Sequence, residues 1–98
     1  MFHVFAAGKE NCVKFKHEYK TVNVIQKNGI IVDQRRPVKT HCFIVAGENT
    51  LGKGVASCDP RDHFEYVKGR KYALKRALID AGFNKVDRKN VWDAFNSN

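Results

Sequence analysis

The dipeptide Asn28-Gly29 lies between two runs of apolar, β-branched residues, and it constrains the fold more than any other feature. The preceding run spans residues 19–25, and the following run is Ile30-Ile31-Val32. Both asparagine and glycine tolerate a positive φ, so this pattern is the strongest short-range signal of a β-hairpin. The sequence therefore predicts strands at about residues 18–27 and 30–36, joined by a turn at Asn28-Gly29.

Turn residues divide the neighbouring sequence into further strands. Pro37 is expected to break the ladder, because proline has no amide hydrogen to donate. Residues 38–46 then form another strand, and residues 54–58 form a short last strand after a glycine-containing turn. The segment at residues 2–5 is apolar and is expected to be either a short edge strand or a docked arm.

The last third of the chain has helical periodicity. One face of a helix over residues 68–81 collects these apolar residues: Ala73, Leu74, Ala77, Leu78 and Ala81. Gly82 follows as a residue that can adopt the left-handed conformation and end the helix. Asp87 is expected to cap a short terminal helix in which Val91, Trp92 and Phe95 face inward.

Together these elements predict an α+β fold with one domain over residues 1–98. The fold is an antiparallel sheet of three to four strands, followed by one main helix and a short C-terminal helix. The side chains expected to be largely buried are Phe43, Val45, Leu74, Ala77, Leu78 and Trp92. Phe64 is expected to pack under the start of the main helix.

The net charge of +8 concerns the partner rather than the fold. It is compatible with nucleic acid, an acidic protein surface or an anionic membrane surface as the partner, or with a protein that is merely basic, and it favours an acidic or phosphate-bearing partner. The N-terminal apolar run is too short for a signal peptide or a membrane span, so no membrane partner is expected. Three cysteines, an odd number, fit a reducing compartment, and the protein is predicted to be cytoplasmic.

A basic stretch of the main helix is the principal candidate site. Its residues are Lys68, Arg70, Lys71, Lys75 and Arg76, with the aromatic Tyr72 among them. Cations contact phosphates while a ring stacks or packs, so this composition suits a polyanion. The alternative is an ordinary solvated helix face. The Lys68–Lys71 segment also lies near the positive end of the helix dipole, although Gly69 there is equally compatible with a tight turn into the helix.

A further basic cluster surrounds the hairpin. It contains Lys27, Arg35, Arg36 and Lys39. Arg35 and Arg36 are therefore candidate contacts to nucleic acid or a protein partner. Lysine on an edge strand also prevents sheets from associating, which is the competing interpretation.

Metal binding and catalysis have little support in the sequence. Cys12 with His17, Cys58 with His63, and the neighbours His41 and Cys42 are possible ligand pairs, but there is no Cys-x-x-Cys motif. The prediction is no metal, no cofactor and free thiols. The loop group Asp59, Asp62, His63 and Glu65 fits acid–base chemistry or, more simply, turn and helix capping. No catalytic residue is assigned, and the protein is predicted not to be an enzyme.

Two stretches carry a resemblance to known proteins. Residues 58–64 read Cys-x-Pro-x-Asp-x-Phe, and residues 69–78 read Gly-Arg-x-x-Ala-Leu-x-Arg-Ala-Leu. This part of the chain, residues 52–78, resembles small, mostly uncharacterised proteins of tailed bacteriophages. The resemblance implies a bacterial host cell as the location, and no established activity.

The main helix is also similar to that of the double-stranded-RNA-binding domain. Arg70-Lys71 correspond to its adjacent lysines, and Ala73 and Ala77 correspond to its paired alanines. The domain's amino-terminal helix and minor-groove loop have no counterpart in this sequence. The similarity therefore serves as an electrostatic analogy for nucleic-acid binding.

The sequence thus predicts a small basic phage-type accessory protein that binds nucleic acid largely without sequence preference. The alternative is a host-takeover or anti-defence protein that binds and inhibits a host protein complex. The sequence does not specify DNA or RNA, the host partner, the oligomeric state, or whether the basic residues form one continuous patch.

Overall fold

The structure, a computed structural model, describes residues 1–58 and 63–97 and has four strands and two helices within them. The elements are β1 (Phe2–Ala6), β2 (Lys9–Ile25), β3 (Ile31–Ala46), β4 (Asn49–Ser57), α1 (Tyr66–Ala81) and α2 (Lys85–Ser97). The strands form one sheet in the order β1-β2-β3-β4, and each pairs antiparallel with the next. The predicted α+β class is confirmed.

Unequal strand lengths give the sheet a projecting hairpin. β2 and β3 have 17 and 16 residues, but the pairing of β1 ends at Val13 and that of β4 begins at Lys39. Residues 19–37, which we call the arm, therefore contain only β2 and β3 paired with each other. The arm accounts for the elongated shape, with principal extents of 58 × 24 × 19 Å.

The turn at the tip of the arm is one residue longer than the sequence predicts. The amide of Gly29 donates to the Gln26 carbonyl at 2.9 Å, and the amide of Gln26 donates to the Ile30 carbonyl at 2.9 Å. Gly29 has a φ of 82°, whereas Asn28 remains at negative φ and accepts from the Ile30 amide at 3.0 Å. This is a type I turn followed by a left-handed glycine, a common three-residue hairpin loop. The predicted hairpin is confirmed, but the prediction of a two-residue turn at Asn28-Gly29 is wrong.

Pro37 does not break the ladder. β3 runs through it as one strand, with Pro37 opposite Tyr19 and Lys39 opposite Glu18. Val38 between them has no partner in the register, which makes the site a β-bulge. Since β4 reaches only to Lys39, β3 at Pro37 is an edge on that side, where a missing amide hydrogen is tolerated. The two strands predicted at 30–36 and 38–46 are therefore one, and residues 2–6 supply the remaining strand.

Both helices pack on one face of the sheet and enclose the core there. α1 packs on β3 and β4, and α2 packs on β1. The end of α1 is as predicted: Gly82 has a φ of 71° and donates to the Ile79 carbonyl at 3.1 Å. The buried apolar residues are Phe2, Ala6, Val13, Cys42, Ile44, Ala56, Ala73, Leu74, Ala77, Leu78, Phe83 and Val91.

The predicted core is partly wrong, and for β3 the reason is that the other face of the strand packs on the helices. Leu74, Ala77 and Leu78 are buried as expected, but Phe43, Val45 and Trp92 are only half-buried. Side chains alternate along a strand, and Cys42 and Ile44 point towards the helices, so Phe43 and Val45 point away from them.

The start of α2 also differs from the prediction. Asn84 caps the helix by accepting from the Asp87 amide at 2.8 Å. Asp87 lies in the first turn instead and accepts from the Ala7 amide at 3.0 Å, which ties α2 to the turn between β1 and β2. As predicted, Val91 faces inward and is buried, whereas Phe95 is half-buried.

Candidate nucleic-acid interface

The outward side of α1 carries four of the predicted site residues. They are Lys68, Lys71, Tyr72 and Lys75, and all are exposed. Their position follows from the periodicity of the helix, since Leu74, Ala77 and Leu78 occupy the side that packs on the sheet. The Tyr72 side chain is 51% exposed and is therefore accessible to a ligand.

Glycines hold α1 unusually close to the sheet. A Cβ at Gly54 would collide with the carbonyl of Ala73 and the amide nitrogen of Ala77. At Gly69, a Cβ would lie 2.7 Å from the Thr40 hydroxyl oxygen. α1 begins at Tyr66, and the Gly69 amide donates to the Glu65 carbonyl at 2.9 Å. Gly69 therefore permits close packing inside the first turn, and its amide is already occupied by the helix.

The two arginines of α1 lie against other elements of the fold. Arg70 lies beside His17 in a pocket of about 490 Å³ that is also lined by Phe2, Phe15 and Phe95. Arg76 donates from its guanidinium to the backbone carbonyl of Val55 on β4. Since β4 is an edge strand, this contact covers an edge carbonyl. Lys71 also lines the pocket that contains Arg70, so the lysine side of α1 borders this pocket.

His17 is a titratable group that lies in this pocket. Its Nδ1 lies 3.0 Å from the Thr40 hydroxyl, and its ring packs edge-to-face on Tyr66 with centroids 4.7 Å apart. Burial lowers the pKa of His17 from 6.5, and the positive charge of Arg70 lowers it further. A neutral imidazole is therefore favoured in this pocket.

The arginines of the arm point to opposite faces of the hairpin. Arg35 lies on the helix side, with its guanidinium carbon 4.9 Å from the centroid of the Tyr19 ring. Arg36 lies on the other side, and its Nε donates to the Gln34 side chain at 3.1 Å. The Tyr19 and Tyr66 hydroxyls are 3.5 Å apart, and this hydrogen bond is the main cause of a raised pKa for Tyr66. The basic residues predicted from the sequence thus do not form one patch.

Sequence reasoning missed three cations on α2. Lys85, Arg88 and Lys89 lie with Lys75 along a groove of about 470 Å³ between α1 and α2. The floor of the groove is apolar and is formed by Leu78, Ile79 and Trp92. Lys89 is also paired with Asp93, Nζ to Oδ2 at 3.3 Å. Their i, i+3, i+4 spacing places these cations on one side of a helix, a signal that was available in the sequence.

The possible metal-ligand pairs are mostly separated by the pleat of the sheet. Cys12 and His17 lie on opposite faces of β2, as do the neighbours His41 and Cys42 on β3. No group of three metal-ligating side chains occurs within residues 1–58 and 63–97. Cys58 and His63 do line one small pocket of about 290 Å³.

Two further features that bear on chemistry are the acidic loop group and the Cys42 thiol. Asp59 and Asp62 of the predicted acidic group lie outside the described residues. Burial raises the pKa of the Cys42 thiol to about 12, as is typical of a cysteine buried in an apolar core. In the described part of the chain, neither helix has the length and apolar character needed to cross a membrane.

Comparison of the chain with known protein families, curated proteins and solved structures found no match. The resemblances to phage proteins and to the double-stranded-RNA-binding domain therefore stay predictions from the sequence.

Proposed function

We propose that this protein binds nucleic acid through the outward surface of α1 and α2, largely without sequence preference. The observation that carries the proposal is the groove in which Lys75 of α1 and three cations of α2 lie together. Lys68 and Lys71 are exposed on the preceding turns of α1, towards its N-terminus from Lys75. We call this surface the helical face; its cations are Lys68, Lys71, Lys75, Lys85, Arg88 and Lys89.

The composition of the helical face favours contacts to phosphates over base readout. Five of its six cations are lysines, which act as mobile point charges and lack the planar fork that arginine uses on guanine. Contacts to phosphates position a protein on nucleic acid but do not specify a sequence. Binding by the helical face is therefore expected to be similar for different sequences.

Salt dependence tests the electrostatic part of the proposal. Each neutralised phosphate releases condensed counterions, so about four contacts on duplex DNA give a log–log slope of roughly −3 to −4. Fluorescence anisotropy across a salt series, with labelled duplex DNA and RNA, measures this slope. Absence of binding tighter than about 10⁻⁴ M at physiological salt would falsify the proposal.

A matched pair of double variants locates the site. Lys71→Glu with Lys75→Glu reverses two charges on the helical face, and Lys14→Glu with Lys53→Glu reverses two on the opposite side of the sheet. Both variants change the net charge equally, so a difference in duplex affinity reports position alone. We expect the first pair to weaken duplex binding for all sequences and the second to retain most of it.

The apolar floor of the groove favours one alternative, an acidic surface on a host protein. Ile79 is 63% exposed there beside the half-buried Trp92, and such a floor suits apolar side chains of a partner. In that case nucleic-acid affinity would be weak at physiological salt. The wild-type protein would instead capture a host protein from lysate in a complex that resists nuclease treatment. The double variant Lys71→Glu with Lys75→Glu would no longer capture it.

A further inference from the structure

The sheet face opposite the helices carries aromatic side chains flanked by lysines. The register places Phe43 of β3 between Lys14 of β2 and Lys53 of β4. In the next row, two positions along, His41 lies between Lys16 and Val55. We call this surface the open face, since neither helix of the described residues covers it.

The two rings of β3 lie side by side on the open face. Phe43 and His41 are nearly parallel, with an interplanar angle of 9° and ring centroids 6.3 Å apart. The carboxylate of Glu18 lies 3.3 Å from His41 Nε2 and fixes the orientation of the imidazole. Both side chains are half-buried, so their positions are held by the sheet while part of each ring stays accessible.

The charges around these rings are mainly positive. The exposed lysines of the open face are Lys14, Lys16, Lys39 and Lys53. Two acidic side chains lie on the same face: Glu18 beside His41, and Glu10 opposite Phe5. A further aromatic residue, Phe5 of the edge strand β1, is 67% exposed on the same face.

We propose that the open face binds single-stranded nucleic acid, with bases stacking on Phe43 and His41 and phosphates contacting the surrounding lysines. Bases in a duplex are stacked on one another and cannot lie on a protein ring, whereas unpaired bases can. Lysines on both sides of the rings are positioned to contact the phosphates of a nucleic-acid strand that runs across the sheet. This inference shares its ligand class with the proposed function but uses a separate surface.

The test measures binding of a labelled homopyrimidine single strand and a duplex of the same length. Stacking of one base supports a loss of roughly 5- to 150-fold in single-strand affinity for Phe43→Ala. Phe43→Tyr, which keeps a ring, is expected to bind nearly as well as the wild-type protein. Circular dichroism verifies that both variants are folded.

The two charge-reversal variants separate the two surfaces. Lys14→Glu with Lys53→Glu is expected to weaken single-strand binding more than Lys71→Glu with Lys75→Glu does. If Phe43→Ala binds single strands as tightly as Phe43→Tyr, or if the wild-type protein binds no single strand, the inference is overturned even when duplex binding is intact. Conversely, Phe43-dependent binding of single strands without duplex binding would overturn only the proposal for the helical face.

Discussion

Replacement of Gly54 by alanine tests the close contact between β4 and α1. The added Cβ would overlap the Ala73 carbonyl and the Ala77 amide and lie 2.9 Å from the Arg76 Cβ. Two of these atoms belong to the helix backbone, so a side-chain rotation cannot relieve the collision. Since non-bonded carbon atoms rest at about 3.5–4.0 Å, α1 must recede by on the order of 1 Å.

The displacement is expected to lower the free energy of unfolding because it loosens the contacts between α1 and the rest of the core. α1 contributes four buried side chains to the core: Ala73, Leu74, Ala77 and Leu78. A gap of about 0.5–1 Å forfeits roughly a quarter to a half of the contact energy across it. Overpacking commonly costs about 1–3 kcal/mol, and with a rigid backbone as the obstacle we expect about 3 kcal/mol. For a domain of this size, the melting temperature should fall by roughly 12 °C or more.

Urea denaturation monitored by circular dichroism measures the free energy of unfolding of Gly54→Ala. Gly29→Ala is the control, because a Cβ there meets no other described atom within 4 Å and costs only the strain of its φ of 82°, about 1–2 kcal/mol. Lys53→Ala, next to Gly54 but exposed, should change stability by less than about 0.5 kcal/mol. A Gly54→Ala protein as stable as the Lys53→Ala protein would refute the close approach of α1 to β4.

Three further predictions concern the core and the pocket beside α1. Leu78→Ala should lower the free energy of unfolding by about 2–5 kcal/mol, whereas Ile79→Ala, at a 63% exposed position, should change it little. If the two variants were equally destabilised in denaturation experiments, the orientation of α1 on the sheet would be contradicted. The Cys42 thiol, with a pKa raised to about 12 by burial, should react with an aromatic disulfide reagent far more slowly in the native protein than after unfolding, and equal rates would contradict its burial. The pKa of the His17 imidazole should lie below 6.5 in the folded protein. As the pH drops below about 6.5 the unfolded chain therefore takes up a proton before the folded protein does, and the free energy of unfolding falls. Arg70→Gln should raise the pKa of His17 in an NMR titration, and an unchanged pKa would exclude the charge of Arg70 as a cause.

Signals confined to a few neighbouring residues predicted the fold well. The Asn28-Gly29 dipeptide located the hairpin, and Gly82 located the end of α1, because both depend on local backbone conformation. The prediction for Pro37 failed because the cost of proline in a strand depends on whether a neighbouring strand needs its amide hydrogen. That neighbour, β4, ends at the level of Lys39, which no local pattern reveals.

In the candidate site, too, local sequence patterns located some features, whereas others depend on contacts between distant elements. The periodicity of α1 was enough to place Lys68, Lys71 and Lys75 on one outward face. The groove that joins Lys75 to the cations of α2 depends on how the two helices lie side by side on the sheet. The differing directions of Arg70 and Arg76 likewise depend on contacts with other elements.

Which face of the sheet the helices cover is decided by β4 rather than by β3. Strand β3 has apolar side chains on both faces near its end, so its own pattern is compatible with either choice. In β4, Gly52, Gly54 and Ala56 alternate with larger side chains, and only the face with the small residues lets a helix backbone approach. Once α1 lies on that face, Phe43 is left on the other, where its half-buried ring lies between Lys14 and Lys53. The lysines in the same rows keep that face positively charged. A single-stranded polyanion is a ligand whose bases would stack on the ring while its phosphates contact the lysines.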